Sequence, residues 1–493
     1  MSRRPAIRTT RLGMAVMIVL LLLSITLSLS YAVVRSQASA SLMQSNSNLD
    51  LLARQAAMTG MQTAMRKMSE TNWAGVTSSV TGALSGNQSF RVTFQTGDAS
   101  LSTTGPNASD WSYRVTVVSL GIATDPARPT IASNYTVQAV MKLIPRQLST
   151  NPATFTTALG YTVYQTGTDD FQLELPCRIT GAVRVQGNFY LADSYPPSSY
   201  GLSRYLSDIN AMRGNGYPDD RPLNGPVSIP NSRITGMTKN LLNNSLGVSN
   251  ISIGSTSATD WSYPSGLTSY QLYPGGQTYS AAIVPSSLAN TTLAPDPRTN
   301  PLGIFYRSGS LTLGNNVSIS GTLVVGGDLV ISGSGIALQA SSLPALMGST
   351  TPVMLPTIIA AGNVKISSGA NVAISGLVAT WGALNALQGT QNTALNLQGR
   401  VICNGLQFDD RTEWGLSSFL WSLYWSLFNS QSNVPYYPVW LNAFGLWYTP
   451  ALTVAPETSS VSYLFKDASN KVYVPSSSDP GLAWTVLSWT EIF

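Results

Sequence analysis

Residues 14–34 read MAVMIVLLLLSITLSLSYAVV, 21 positions without a charged side chain. At about 1.5 Å of rise per residue this is roughly 30 Å of helix, enough to cross the hydrocarbon core of a bilayer. Four basic residues (Arg3, Arg4, Arg8, Arg11) precede the run, and the first acid of the chain is Asp50. The positive-inside rule then leaves the N-terminus cytoplasmic and sends everything after Arg35 across the membrane. The expectation is a single-pass membrane protein whose bulk is periplasmic or extracellular, with the lipid bilayer as its first partner. A cleaved secretory signal shares the basic start and the apolar run. Against it stand the length of the run and the helical pattern that continues beyond it.

That continuation is a stripe of small and apolar residues at three- and four-residue steps: Leu49, Leu52, Ala53, Ala56, Ala57, Gly60, Met61, Ala64, Met65 and Met68. No proline occurs between Ala6 and Pro106. The spacing predicts one unbroken helix over residues 14–70, half in lipid and half outside, whose small residues admit a close neighbour.

A short basic leader over residues 1–13, then Leu12-Gly13-Met14, then an apolar helix running into an amphipathic one, resembles the N-terminus of type IV pilins and type II secretion pseudopilins. In that family a prepilin peptidase cuts after the glycine and the new N-terminus is methylated. The resemblance implies processing between Gly13 and Met14, and packing against other pilus or pseudopilus subunits through the helix. Major pilins carry Glu at the fifth residue after the cut, where this chain has Ile18. The departure is shared with PilX-type minor pilins and tip-located minor pseudopilins, and points to an accessory subunit.

After the helix, period-two alternation takes over in SFRVTFQT, YRVTVVSLGIAT and NYTVQAVMKLIPRQ, which predicts an antiparallel sheet over residues 80–150. A different repeat follows. Leu311/Leu313, Val317/Ile319, Leu323/Val325 and Leu329/Ile331 are apolar pairs recurring every six positions. Cys177/Ile179, Val183/Val185 and Phe189/Leu191 keep the same period, and Val364/Ile366 and Val372/Ile374 follow at a spacing of eight, with glycines between. Short strands with alternate side chains inward and Gly or Asn corners make a parallel β-helix or similar solenoid over residues 170–410. This resembles the right-handed helices of surface proteins and the bactofilin-like polymer-forming domains; an ordinary sandwich with six-residue hairpins is the other reading. Residues 192–306 break the pattern and are expected to form an insertion at one coil edge. The fold class is thus α+β, mainly β.

Residues 411–493 begin with an aromatic cluster from Trp414 to Tyr448. Its bland role is a helical cap on the open end of the coils. Its sharper role is a binding surface of Trp421, Trp425, Trp440 and Trp447 for surface polysaccharide or a partner subunit.

Composition narrows the function. Only 10% of the 493 residues are charged, against about 25% in ordinary soluble proteins. The net charge of +5 owes most of its excess to the four leader arginines, so no nucleic-acid footprint is expected. With no histidine, Ser-His-Asp and Cys-His catalysis are excluded, as is imidazole metal ligation. No phosphate loop or dinucleotide fingerprint appears, and no metal or cofactor is expected. Adjacent acids (Asp169-Asp170, Asp219-Asp220, Asp409-Asp410 with Glu413) read as solvated turns, with calcium ligation as the alternative. Cys177 and Cys403 either close one long disulfide loop or lie buried apart.

These observations describe a non-enzymatic exported structural protein of the minor pilin or pseudopilin kind, with a role in assembly or adhesion. The alternatives are a membrane-tethered β-helix enzyme acting on polysaccharide, and a surface scaffold unrelated to pili.

Overall fold

The computed structural model describes residues 10–102, 104–169, 171–175, 177–186, 189–193, 248–253, 259–387, 393–409, 452–467 and 471–492. The chain divides into two compact units: Met1–Gln95 with Val115–Met141 and Val486–Phe493, and Thr96–Arg114 with Lys142–Thr485.

The first unit is a helix on a sheet. Helix α1 spans Thr10–Ser69 without interruption, 60 residues that contain no proline. Arg66 and Lys67 sit in its last turn, where cations complement the carbonyl end of the helix, and Lys67 Nζ bonds Glu70 at 2.8 Å. The sheet has the order β1 (Ser79–Ser85), β2 (Gln88–Thr96), β3 (Arg114–Asp125), β4 (Arg128–Ile144), then a C-terminal strand, Ala483–Ile492. β1 and β2 pair antiparallel, with Val80 opposite Val92. Two residues join β3 to β4, which only antiparallel neighbours permit.

Alternation makes one face of this sheet apolar. Phe90, Val92 and Phe94 of β2 are buried, as are Val115, Val117 and Ala123 of β3 and Tyr135, Val137 and Ala139 of β4. On α1 the buried set is Leu49, Ala53, Ala56, Ala57, Met61, Ala64 and Met68, the small-residue stripe read from the sequence. Met61 and Met68 are fully buried, each worth about 1.5–3 kcal/mol as an upper figure. The fifth strand is a departure from expectation. Residues 411–493 read as one C-terminal region, yet Ala483–Ile492 completes the sheet begun by β1–β4. Alternation identifies a strand and says nothing of which edge it joins.

The second unit is built from three rows of short parallel strands. Phe305 pairs with Leu323 and Leu311 with Leu329, each eighteen positions on, so residues six apart in sequence belong to different rows. One row runs Phe305, Leu323, Ile358, Val378, Val401, Val163, Val183, Ile251 in lateral register. The second runs Leu311, Leu329, Val364, Leu384, Leu406, Phe171, Phe189. The third runs Leu293, Ile319, Leu338, Ile374, Leu397, Val454, Ile179. Their described inward side chains share one apolar core.

Two long strands, Asn371–Thr380 and Ala394–Cys403, run through both the third and the first row. They bend at Gly376, whose φ of +114° no L side chain adopts comfortably, and at Gly399 opposite it. A Cβ on Gly399 would lie 1.9 Å from the Gly376 carbonyl oxygen. Other corners carry stacked polar side chains. Asn316, at φ +57°, donates its amide to Asn290 Oδ1 at 3.0 Å, and Asn363 N donates to Asp328 Oδ1 at 2.8 Å.

The rows differ from the expected boundaries in two ways. Strands Ala282–Ile283, Ser287–Leu288, Thr291–Leu293 and Ile304–Arg307 belong to the stack, although the sequence assigned residues 192–306 to an insertion. Their apolar positions are too short and too widely spaced to show the six-residue beat. The stack also recruits Val163–Gln165 and Leu452–Ala455, outside the expected span of 170–410.

Candidate functional site

The feature with the clearest physical demand is α1. From Met14 to Val34 its large apolar side chains are exposed on every side, from 46% at Ile25 to 75% at Met17. The helix is long and apolar enough to cross a membrane. Two of its hydroxyls are satisfied within the helix. Ser24 Oγ donates to the Leu21 carbonyl at 2.9 Å, and Thr26 Oγ1 lies 2.9 Å from the carbonyls of both Leu22 and Leu23. Leu22→Arg, at the middle of this run, is expected to make insertion less favourable by about 2.5–3.5 kcal/mol. The check is the fraction of chain that stays with membranes on alkaline extraction.

Beyond Arg35 the helix changes character and settles on the sheet. Ser119 Oγ of β3 donates to the Ala57 carbonyl at 2.7 Å in a buried setting. A Cβ on Gly121 would meet the Ala53 carbonyl oxygen at 2.1 Å and the Ala57 nitrogen at 2.4 Å. The glycine in SLGIAT therefore sets the distance between strand and helix backbones. Trp73, just past the helix, packs edge-on against Phe94 at 5.5 Å.

Along the second half of α1 lies a groove of about 420 Å³, with Gln44, Asn48, Asp50, Arg54 and Tyr135 among its walls. Asp50 accepts from the Ser133 hydroxyl. Glu491, from the C-terminal strand, takes Arg54 Nη2 on Oε1 at 2.8 Å and the Tyr135 hydroxyl on Oε2. The Tyr135 hydrogen bond, followed by Arg54, holds the Glu491 carboxyl below the usual carboxylate range, and the same bond raises the Tyr135 phenol. A depressed carboxylate lends its stability above its unfolded value, so this contact is intact at neutral pH and weakens as pH falls through the acid range. The Arg54 guanidinium also lies 5.8 Å from the Tyr135 ring centre. Sequence reading missed this cluster, because Arg54 and Glu491 lie 437 positions apart and neither sits in a motif.

The residues singled out from sequence fare unequally. Met14 lies in α1, as does Gly13, and residues 1–9 of the leader lie outside the described residues. Trp421, Trp425, Trp440 and Trp447 also lie outside them, as do Asp219, Asp220, Asp410 and Glu413. Cys403 is a free, buried thiol that burial pushes up to about 12. Cys177 stands opposite Leu452, and Leu452 opposite Leu395, eight positions before Cys403 on its strand. Two strand spacings, about 9.6 Å, already exceed the reach of a disulfide, so of the two readings the register favours separate cysteines. Among the described residues no group of three or more His, Cys, Asp or Glu side chains is arranged to hold a metal ion.

No family model matches the sequence. No curated protein matches it either. Among solved structures, the chain is similar to the competence-associated pilin ComZ from Thermus thermophilus, at 11% identity over 90% of this chain and 98% of that one, with a TM-score of 0.18. At that identity and score the likeness carries no argument about fold or function.

Proposed function

We propose that this chain is a membrane-anchored accessory subunit of the minor pilin or pseudopilin kind, whose exported region serves filament assembly or adhesion. The observation that carries the reading is the division of labour along one 60-residue helix. Its first half is apolar and exposed on all sides, as a segment bound for lipid or for other helices must be, and its second half is seated on an antiparallel sheet by a small-residue stripe. We read the three parallel rows of the second unit as a three-faced β-solenoid, whose mostly uncharged outer surface suits display outside the cell. The leader arginines support a cytoplasmic N-terminus.

The test is the N-terminal sequence and mass of the mature protein from its native host. The expected result is a chain that begins at methylated Met14, after loss of residues 1–13, and that co-purifies with sheared filaments. An intact leader, or a cut near Ser30, would overturn the pilin reading and leave a plain anchor or a processed signal.

A further inference from the structure

The two edges of the first sheet, β1 and the C-terminal strand, bury no side chain at all. They are attached differently. β1 is tied to β2 by a short hairpin, whereas more than three hundred residues separate the end of β4 at Ile144 from Ala483, so the C-terminal strand can leave without opening any hairpin. Its large apolar residues gain little from staying: Val486, Leu487, Trp489 and Ile492 remain 41–46% exposed. What holds residues 486–492 is main-chain pairing to β4 and the grip of Arg54 and Tyr135 on Glu491. The start of the strand has an anchor of its own, since Trp484 packs edge-on against Tyr273 at 5.5 Å.

We propose that residues 486–492 form a releasable strap, and that the β4 edge it vacates is a strand-addition site for the same segment of a second copy of this chain. Charge complementarity selects the occupant. With the strap gone, the site presents a row of β4 main-chain groups, a guanidinium from Arg54 and a phenol hydroxyl from Tyr135. It calls for an extended, otherwise uncharged segment with a carboxylate at one register position. Residues 483–492 of another copy meet that description, because Glu491 is the sole charge in AWTVLSWTEI. Strand exchange of this kind needs a strand whose local opening is far easier than global unfolding, as this one's burial pattern provides.

The test uses the full chain in detergent micelles. Hydrogen exchange followed by mass spectrometry is expected to label 486–492 at least about tenfold sooner than the buried part of β3, and Glu491→Gln is expected to widen the gap. Equal protection of the two segments, or a gap that Glu491→Gln leaves unchanged, overturns the strap. For addition, a dye-labelled 483–492 peptide is mixed with the chain, with empty micelles as background. The wild-type peptide is expected to be incorporated and one carrying Glu491→Lys excluded, with the Lys peptide recovered on Arg54→Glu chain. Failure of the wild-type peptide to incorporate, or incorporation indifferent to the Glu491→Lys change, overturns strand addition.

Discussion

Gly121→Leu is expected to unseat α1 from its sheet at a cost of about 3 kcal/mol or more, among the largest single effects available in the first unit. The reason is the partner of the missing side chain. A Cβ at this position meets backbone on the helix, with Ala53 O at 2.1 Å and Ala57 N at 2.4 Å. A flexible side chain would move aside, but the backbone of a packed helix moves only as a whole. Such a shift would also pull the Ala57 carbonyl away from Ser119 Oγ, a buried bond of 2.7 Å. Denaturant unfolding followed through tryptophan fluorescence reads the effect, because Trp73 packs on Phe94 in the same unit. Gly86→Ala serves as comparison: nothing lies within 4 Å of its Cβ position, and a change within about 0.5 kcal/mol is expected. An unshifted midpoint for Gly121→Leu would refute the close seating of helix on strand.

In the second unit the largest effect is expected at Phe408. The side chain is fully buried in the shared core, and its residue stands in register between Ala386 and Leu173 on the neighbouring strands. Truncation to alanine removes a ring and leaves a cavity that strands locked in register on both sides cannot close. A loss of about 3–5 kcal/mol follows. Stacked strands depend on their immediate neighbours, so faster hydrogen exchange should appear first at Ala383–Leu387 and Phe171–Leu175. Ser318→Ala, on the exposed side of its strand, should leave the denaturant midpoint where it is. If Phe408→Ala behaves like Ser318→Ala, the row of residues from Leu311 to Phe189 is not one packed ladder.

What the sequence reveals is the face a residue turns inward; what it conceals is the partner that face meets. The stripe from Leu49 to Met68 could be read because α-helical spacing repeats locally and no proline interrupts it. The apolar pairs at six-residue steps could be read for the same reason, and Gly376 as a bend between them; Gly399, its partner across the pair, was not. Even the glycine in SLGIAT breaks an alternating strand visibly. The fifth strand of the first sheet could not be read, because WTVLSWTEI would suit many edges equally well. The sequence left Cys177 and Cys403 either bridged or apart, and strand register, with Cys403 a free thiol, favours the second reading. The cluster of Arg54, Tyr135 and Glu491 is three ordinary residues from a helix, a strand and a distant edge, and only the assembled unit makes them a group.

The order of strands within the stack has a consequence for how the chain folds as it is made. In space, Val163–Gln165, Phe171–Leu175 and Cys177–Ile179 follow the strands at 401–409 and 452–455, although in the chain they come more than two hundred residues earlier. A chain synthesised from its N-terminus therefore presents these strands long before the surface that covers them. The later strands, from 282 onward, lie on one another in chain order and can stack as they emerge. Contacts of such sequence separation close late, because the loop entropy is lost before the contact is gained. The early strands wait in the open, with unpaired edges and apolar side chains such as Val163 and Phe171. The interval before residues 401–455 arrive is thus the stage at which this protein is most exposed to aggregation, and the stage at which an escort would matter most.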